Sequence, residues 1–248
     1  MSVTDVHYWD DWWSQSRVDP FPPDTDQQFG PHGYFLRMID RHNLSVGDSA
    51  IELGGVRSFR LLALAKWRGL RVTAADYSRC GMEATREWFA ANGCSVETIE
   101  GDFFSLPHDR KFDLVTHWGV MEHESDPRPL LQLCARLVKP TGTIVFSMPN
   151  MRGPGAWAWK HWSPNNWAKH IYHSDREIVE AATSTGLTCS TFGHGAPFIY
   201  MGSCEAKGAL PRAVYLLQRL LDRLGRESGW RYISQSRVFV CHPREQRA

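Results

Sequence analysis

The chain has 248 residues, of which 42% are hydrophobic and 22% are charged. This composition is ordinary for a globular protein with one large domain, and it excludes a largely disordered, collagenous or coiled-coil chain. The formal net charge is +1, which provides no general attraction to nucleic acid or to an anionic membrane.

The first residues and the cysteines both favour a cytoplasmic protein. Acidic residues occupy the N-terminus, where a signal peptide needs a basic region and an apolar core, and no apolar run is long enough to cross a bilayer. No two cysteines form a CxxC pair, so buried free thiols are favoured over a zinc cluster or a disulfide framework. The six cysteines are Cys80, Cys94, Cys134, Cys189, Cys204 and Cys241.

Strands alternate with helices over the first 150 residues. A short helix and an extended segment containing Pro20, Pro22 and Pro23 come first. The pattern then predicts helices at about 34–42, 58–67, 81–91 and 126–138, and strands at 49–53, 71–76, 95–100, 111–118 and 141–148. Such alternation indicates βαβ units and a parallel sheet, which binds its ligand beyond the carboxyl ends of the strands.

The pattern changes after Asn150. Residues 151–169 are rich in Gly, Pro and Trp and lack a clean helical or strand period. Ser174 and Glu177 then have the spacing of a capping box, which predicts the start of a new helix.

The last part of the chain is predicted to contain strands at 187–192 and 232–240. Between them, one apolar helical stripe runs from Leu210 to Leu224. Packing of this face on the core is favoured over contact with a membrane surface or with a second copy of the chain, although a homodimer stays an open alternative.

Several short motifs follow the predicted strands. Gly54 and Gly55 close the first strand, where glycine lets the backbone pass close to a ligand. Asp76 ends the second strand, at a spacing typical of a carboxylate that binds ribose hydroxyls. Further along, the chain has Asp102-Phe103, then H-W-G-V-M-E-H, then V-K-P-T-G-T.

Taken together and in order, these motifs resemble those of the class I S-adenosylmethionine-dependent methyltransferases. I-E-L-G-G resembles the first family motif, A-A-D-Y-S the second and E-G-D-F-F the third. F-D-L-V-T-H-W-G-V-M-E-H is similar to the fourth motif in the branch that contains ubiquinone-type O-methyltransferases and tailoring enzymes. V-K-P-T-G-T-I-V-F-S-M-P-N resembles the fifth.

The resemblance implies an α/β fold, with a Rossmann-like, doubly wound and mostly parallel seven-stranded sheet whose last strand is antiparallel. An N-terminal helical segment and a helical, Trp-rich cap would be added to it. The chain would form a single domain over 1–248. Its parts would be an N-terminal lid segment (1–33), a cofactor-binding core (34–150), an acceptor cap (151–173) and a C-terminal part (174–248) with a helical insertion at about 196–230.

The family also implies roles for individual residues toward S-adenosylmethionine. Glu52 and the loop at Gly54 and Gly55 would meet the methionine and ribose portion. Asp76 would bind the ribose hydroxyls and Tyr77 would pack beside the adenine.

Three further positions complete the implied cofactor site. Asp102 would accept from the adenine amino group, Phe103 would lie against the ring, and His117 would lie beneath the cofactor at the strand end. Core packing is the alternative role for Phe103 and Tyr77, and a turn is the alternative for Asp102.

One loop departs from the family pattern. Val56 and Ser58 stand where the family usually has glycine. Val56 is bulkier, so a less close approach of the loop to the cofactor is expected, and Ser58 is a candidate cap for the following helix.

Histidines near the carboxyl edge are the candidates for a general base, because their ordinary pKa lies near neutrality. Four fall on the relevant loops: His117, His123, His170 and His173. His123 ranks first and His170 second, with a structural hydrogen bond as the alternative role for each. Glu122 lies beside His123, and the two side chains together also suggest a metal site. Ligands from two adjacent residues surround an ion poorly, however, so no metal is predicted.

The predicted function is methyl transfer to a small molecule or a sugar, on oxygen, with tryptophans of the cap stacking on the acceptor or packing the cap. An N- or C-methyltransferase and a catalytically inactive binding protein are the alternatives. A nicotinamide-dependent dehydrogenase is disfavoured, because the later glycines of its fingerprint are missing. No arginine and aromatic stripe supports nucleic-acid binding.

Overall fold

In the computed structural model, residues 6–15, 30–105, 109–197, 205–223 and 234–244 are described. The strands are β1 (Ser49–Leu53), β2 (Arg71–Asp76), β3 (Glu97–Glu100), β4 (Phe112–Trp118), β5 (Val138–Pro149), β6 (Leu187–Pro197) and β7 (Ser234–Pro243). The helices are α1 (Val6–Gln15), α2 (Gly30–Ile39), α3 (Phe59–Arg68), α4 (Arg79–Ala91), α5 (Arg128–Leu137), α6 (Ala156–Trp162), α7 (Pro164–Trp167), α8 (Asp175–Ser184) and α9 (Ala209–Arg223). Short 3₁₀ helices lie at Asp40–His42, Phe103–Ser105 and Met121–His123.

The strands form one seven-stranded sheet of order β3-β2-β1-β4-β5-β7-β6. Strands β1 to β5 pair in parallel, whereas β7 is antiparallel to both of its neighbours, β5 and β6. The predicted fold, with its antiparallel last strand, is confirmed. Because β1, β2, β4 and β5 end at the same edge, the loops that follow them meet there.

Helices cover both faces of the sheet. On one face, Ile51, Val115 and Phe146 pack among buried side chains of α5 and α8. On the other face, Ala50 and Leu114 pack among those of α2, α3 and α4. A strand buried on both faces needs apolar residues on both sides, which explains why adjacent residues such as Ala50 and Ile51, or Leu114 and Val115, are both apolar.

Serine caps determine where three helices begin. Ser58 accepts from the Leu61 amide before α3, and Ser78 accepts from the Gly81 amide before α4. Before α8, Ser174 and Glu177 form the predicted capping box. Each cap satisfies a backbone N–H that the helix itself leaves unpaired.

The cysteine prediction was wrong for one pair. Cys189 in β6 and Cys241 in β7 form a disulfide. The sheet places these residues directly opposite each other, because β7 inserts between β5 and β6. Three free cysteines, Cys80, Cys94 and Cys134, lie in the described residues, and the position of Cys204 lies outside them.

Helix α9 also departs from expectation. Its apolar stripe does not pack wholly on the core, because Leu210, Leu217 and Leu220 are 67%, 48% and 53% exposed. The helix instead contacts the Trp-rich segment through Val214 and Tyr215. The proline-containing segment after α1, the C-terminal end of the stripe at Leu224 and the first predicted residues of β7 lie outside the described residues.

Among the helices that the structure describes, we find none with the length and apolarity needed to cross a membrane.

Candidate active site

The turn after β1 carries the backbone close to the carboxyl edge of the sheet. Gly54 has φ of +72°, and its amide donates to the Ala75 carbonyl at 2.8 Å. A Cβ on Gly54 would lie 2.7 Å from Cγ2 of Val120, and one on Gly55 would lie 2.9 Å from the Glu52 carbonyl oxygen. Backbone conformation and close packing therefore both demand glycine at this turn.

Val56 and Ser58, which replace family glycines, take up structural roles in the same loop. Val56 is only 4% exposed, and a Cβ on Gly81 would lie 2.8 Å from its Cγ2. The valine side chain thus packs on the first turn of α4. The Ser58 hydroxyl accepts from the Leu61 amide at 3.1 Å and donates to Oε2 of Glu52 at 2.7 Å.

Glu52 is a buried carboxylate at the end of β1. It is 3% exposed, and burial raises its pKa to about 7, while the Ser58 hydrogen bond and the charge of Arg60 oppose that rise. A ligand that donates hydrogen bonds or carries positive charge would favour the ionised form.

Asp76 ends β2 at the same edge. Its Oδ1 accepts from the Ser78 amide at 2.8 Å, which orients the carboxylate. Burial, with a smaller contribution from the neighbouring charge of Asp10 in α1, raises the pKa of Asp76 to about 6. Asp10 itself accepts a hydrogen bond from the Ser78 hydroxyl at 2.5 Å, and this bond joins α1 to the loop after β2.

Two aromatic rings face each other beside Asp76. Tyr77 and Phe103 have ring centroids 6.5 Å apart and planes inclined by only 22°. Asp102 is exposed, and its Oδ1 accepts from the Phe104 amide at 2.9 Å. Both predicted aromatic positions and Asp102 are therefore brought together with Asp76, at the ends of two adjacent strands, β2 and β3.

His117 lies apart from the other histidines. It is fully buried in β4, pairs with Leu53 across the sheet and stacks on Phe146 at 4.6 Å. Neither ring nitrogen has a hydrogen-bond partner among the described residues, and burial lowers its pKa to about 3. The imidazole is therefore held neutral inside the sheet, where it packs at the end of β4.

His123 and His170 come together, as a shared carboxyl edge would require. Their ring centroids are 4.9 Å apart. His123 Nδ1 lies 2.8 Å from the Lys169 carbonyl oxygen, and His170 Nδ1 lies 2.7 Å from that of Asn166. A carbonyl oxygen can only accept, so Nδ1 carries the proton in both rings and Nε2 keeps its lone pair.

The electrostatics of this pair keep both rings neutral at pH 7. Burial lowers the pKa of His123, and burial together with the nearby His123 lowers that of His170 to about 4. His173, the fourth candidate, is separate from this pair. Its Nε2 lies 2.8 Å from the Glu124 carbonyl oxygen, which indicates a structural contact.

Glu122 completes a cluster with the two imidazoles. One ligand atom each from Glu122, His123 and His170 lie within 4.8 Å of one another. Glu122 is 2% exposed, and burial raises its pKa to about 8. The spacing of these three ligand atoms would also admit a divalent cation. The sequence predicts no metal, and that remains a prediction.

The Trp-rich segment packs around this cluster. Trp159 is fully buried, its ring lies 4.8 Å from that of His170, and its Nε1 donates to Oδ1 of Asn166 at 2.8 Å. Packing is therefore the role of Trp159, whereas Trp157 is 61% exposed.

Comparison with known proteins agrees with this arrangement. The profile of the methyltransferase domain family matches residues 51–146, which begin within β1 and end within β5. The ubiquinone biosynthesis O-methyltransferase of Stutzerimonas stutzeri is 30% identical over 125 residues, which cover 50% of this chain and 53% of that protein. The protein of the same name from Actinobacillus pleuropneumoniae is 36% identical over 154 residues, which cover 55% and 65%.

Residues 51–146 are thus similar to a methyltransferase domain, and the chain has the fold of the class I S-adenosylmethionine-dependent methyltransferases. It spans about half the length of the first curated relatives that it matches. Solved structures share the fold. The YcgJ protein of Bacillus subtilis has a TM-score of 0.62 at 16% identity, with 86% of this chain and 99% of that chain covered. Magnesium protoporphyrin IX methyltransferase of Synechocystis, solved with S-adenosylmethionine bound, has a TM-score of 0.56 at 15% identity, with 96% and 89% covered.

Helix α1 lies across the carboxyl edge. Trp9 approaches His123 edge-to-face at 5.4 Å, and the Lys169 ammonium lies 3.6 Å above the ring of Tyr8. With the bond between Asp10 and Ser78, these contacts join α1 to the cofactor side and to the histidine side. Sequence reasoning assigned a lid to residues 1–33 but did not name these side chains, because no local pattern connects them to loops so distant in sequence.

Arg237 is a second residue that sequence reasoning missed. It lies in β7, is 4% exposed, and its Nη1 donates to Oδ1 of Asp175 at 2.6 Å. The signal was present in the sequence, since a lone arginine stands among the apolar residues of S-R-V-F-V. A buried charge in a core strand is rare enough to mark a site.

Proposed function

We propose that this methyltransferase transfers a methyl group from S-adenosylmethionine to a hydroxyl group of a small molecule or a sugar. The observation that carries this proposal is the histidine pair. His123 and His170 have fixed tautomers, and each keeps the lone pair of Nε2 available at the edge where the cofactor motifs end.

The residues at the opposite side of the edge suit the cofactor. Glu52 and Asp76 offer carboxylate oxygens to amino and hydroxyl donors, and the turn at Gly54 lets the backbone approach. The nearly parallel rings of Tyr77 and Phe103 offer apolar faces to a flat base. When bound, S-adenosylmethionine supplies an activated methyl group on a sulfonium.

Asp102 is proposed to bind the adenine amino group. Its Oδ1 accepts from Phe104, so the remaining carboxylate oxygen can accept from a ligand at the exposed end of the ring pair. His117 supports the strand end beneath the cofactor.

The chemical roles of this chain's residues are to hold the acceptor, to exclude water and to take up a proton. Nε2 of His123 or His170 accepts the hydroxyl proton as the oxygen attacks, and the carbonyl of Lys169 or Asn166 holds the imidazole in place. A general base of this kind contributes about 10²–10⁴-fold to rate. Helix α1 covers the pair from the solvent side through Trp9, which favours methyl transfer over hydrolysis.

Binding and turnover test this proposal separately. Calorimetric titration is expected to show binding of S-adenosylmethionine and none of NAD. Methyl transfer from radiolabelled cofactor to a panel of phenols and sugars then tests the hydroxyl acceptor. If the protein does not bind S-adenosylmethionine, the proposal fails and the chain is a binding protein with a methyltransferase fold. If the labelled products are methylated amines and not ethers, the protein is an N-methyltransferase.

Matched histidine variants test the base. His123→Ala or His170→Ala is expected to lower single-turnover rate about 10²-fold or more while cofactor affinity stays nearly constant. His173→Ala is the control, because the Nε2 of that imidazole lies against the Glu124 carbonyl oxygen, outside the pair. Rates and pH profiles equal to the parent's in both test variants would refute a histidine base and leave proximity and desolvation as the mechanism.

A further inference from the structure

The guanidinium of Arg237 is buried but only partly hydrogen-bonded. Nη1 donates to Asp175, whereas Nε and Nη2 are buried and have no hydrogen-bond partner among the described residues. Leaving charged N–H donors buried and unpaired is costly, and buried polar groups in native proteins are nearly always satisfied. A group outside the described side chains is therefore needed to complete this arginine.

The two unpaired donors form one edge of the guanidinium. Nε–H and the adjacent Nη2–H point the same way and match the two oxygens of a carboxylate. Two other arginines of the chain bind a carboxylate through their Nε and Nη2 groups. Arg68 donates from Nε and Nη2 to Asp40 at 2.7 and 2.8 Å, and Arg128 does so to Asp126 at 2.9 and 2.7 Å. In Arg237 the same edge is buried, and no hydrogen-bond partner among the described residues occupies it.

The surroundings of Arg237 place this edge beside the histidine cluster. Arg237 pairs with Met148 near the carboxyl end of β5, and its guanidinium lies 5.3 Å from the ring of Tyr172. Tyr172 follows His170 by two residues. The intervening Ile171 amide donates to the Glu122 carbonyl at 2.7 Å, so this segment is fixed to the cluster.

Charges around the edge favour an anion. Asp175 occupies only the Nη1 side of Arg237, and Arg152 lies 4.2 Å from the centroid of the Tyr172 ring. Glu122 is a buried carboxylate close enough for the charge of Arg237 to oppose the rise in its pKa. No hydrogen bond joins the two side chains, and Oε2 of Glu122 has no hydrogen-bond partner among the described residues.

We propose that the Nε and Nη2 edge of Arg237 binds a carboxylate group of the methyl acceptor and so directs the acceptor's hydroxyl toward His123 and His170. This deepens the proposed function and rests on it. Arg237 is a specificity residue in this scheme: it selects acidic acceptors and positions them, while proton transfer belongs to the imidazoles.

Benzoate and benzamide form a matched pair of probes, because they share a shape and differ in the carboxylate. Binding to the parent protein is measured by titration calorimetry and by thermal shift, with S-adenosylhomocysteine present and absent. Benzoate is expected to bind at least tenfold more tightly than benzamide. Equal affinities, or binding of neither, would overturn the proposal without any variant.

Two variants then assign the effect to this arginine. Arg237→Met is expected to lower benzoate affinity at least tenfold, to the level of benzamide. Arg237→Lys keeps a charge for Asp175 but lacks the planar fork, and it is expected to lose at least threefold. Arg128→Met is the control, because that exposed arginine already holds Asp126 on its edge, and benzoate binding should be unchanged.

The outcomes separate this proposal from the function on which it rests. Retention of parent-like benzoate affinity in Arg237→Met, or in Arg237→Lys where the methionine variant does not fold, would overturn the assignment. Selective benzoate binding in a protein that fails to bind S-adenosylmethionine would refute methyl transfer and leave the carboxylate site in place.

Discussion

Lowering the pH from 7 to 5 is expected to weaken S-adenosylmethionine binding about tenfold through Asp76. Ribose hydroxyls donate to a carboxylate best when it is ionised. Burial raises the pKa of Asp76 to about 6, so the ionised fraction falls about tenfold over this interval. A carboxyl group with the ordinary pKa of 3.8 would stay ionised throughout and would show almost no change.

Protonation of Asp76 is expected to raise the folding stability, although it lowers the affinity for the cofactor. The pKa of Asp76 is raised in the folded protein, so the penalty for ionising it is present above pH 6 and is relieved as the pH falls toward 4. Holding Asp76 ionised against a pKa of about 6 costs up to about 3 kcal/mol of unfolding free energy at neutral pH. Acidification is thus expected to relieve this group's penalty while it weakens cofactor affinity.

Asp76→Asn tests both halves of this reasoning. The variant should bind the cofactor about tenfold more weakly at pH 7, should lose the Asp76 share of the pH dependence and should have a higher melting temperature without ligand. Glu52, whose pKa is about 7, titrates in the same pH range. The pH dependence of cofactor affinity that remains in Asp76→Asn therefore measures the contribution of Glu52. Asp10→Asn should move the loss of affinity to lower pH, because the Asp10 charge helps to raise the pKa of Asp76.

Calorimetric titration between pH 5 and 7, with thermal unfolding of the unliganded protein over the same range, measures these quantities. Constant affinity of the parent across this range would refute the role of Asp76. An Asp76→Asn variant with the parent's full pH dependence would do so equally.

Three other substitutions test the packing of the site. Gly81→Ala should destabilise the parent by about 1–3 kcal/mol in urea unfolding, since the new Cβ meets Val56 and the Ser78 hydroxyl; a Val56→Ala background should relieve the part of that cost that is due to Val56, and additive effects of the two substitutions would contradict this contact. Gly54→Ala should lower cofactor affinity more than Gly47→Ala does, because both have positive φ but open space surrounds only Gly47; equal losses would mean that backbone strain alone acts. Cys189→Ser, at the partly buried end of the bridge, should lower the unfolding free energy by about 2–4 kcal/mol under oxidising conditions and by little with dithiothreitol present; a variant as stable as the parent in both conditions would show that the bridge contributes nothing.

The cofactor half of the edge could be predicted from sequence because its signals are local. A glycine turn after an apolar strand, and an aspartate after the next, occur at spacings that the βαβ unit fixes. The capping box at Ser174 is local in the same way, since it involves residues three apart.

The missed features all depend on contacts between distant segments. The disulfide between Cys189 and Cys241 joins residues 52 positions apart, and it follows only once β7 is known to lie beside β6. The bond from Ser78 to Asp10 spans 68 positions and depends on where α1 lies. Arg237 gave a sequence signal, but its meaning depended on the neighbours that β5 and the segment at Tyr172 supply.

The position of β7 in the sheet has a consequence for synthesis on the ribosome. Because β7 lies between β5 and β6, β6 has no strand to pair with until residues 234–243 have emerged. The strands that carry Glu52 and Asp76 pair with one another and with β4, and all of these emerge earlier. A nascent chain can therefore assemble its nucleotide-facing half well before Arg237 joins the sheet. Until then β5 presents an unpaired edge, and this is the stage at which such a chain is most exposed to aggregation.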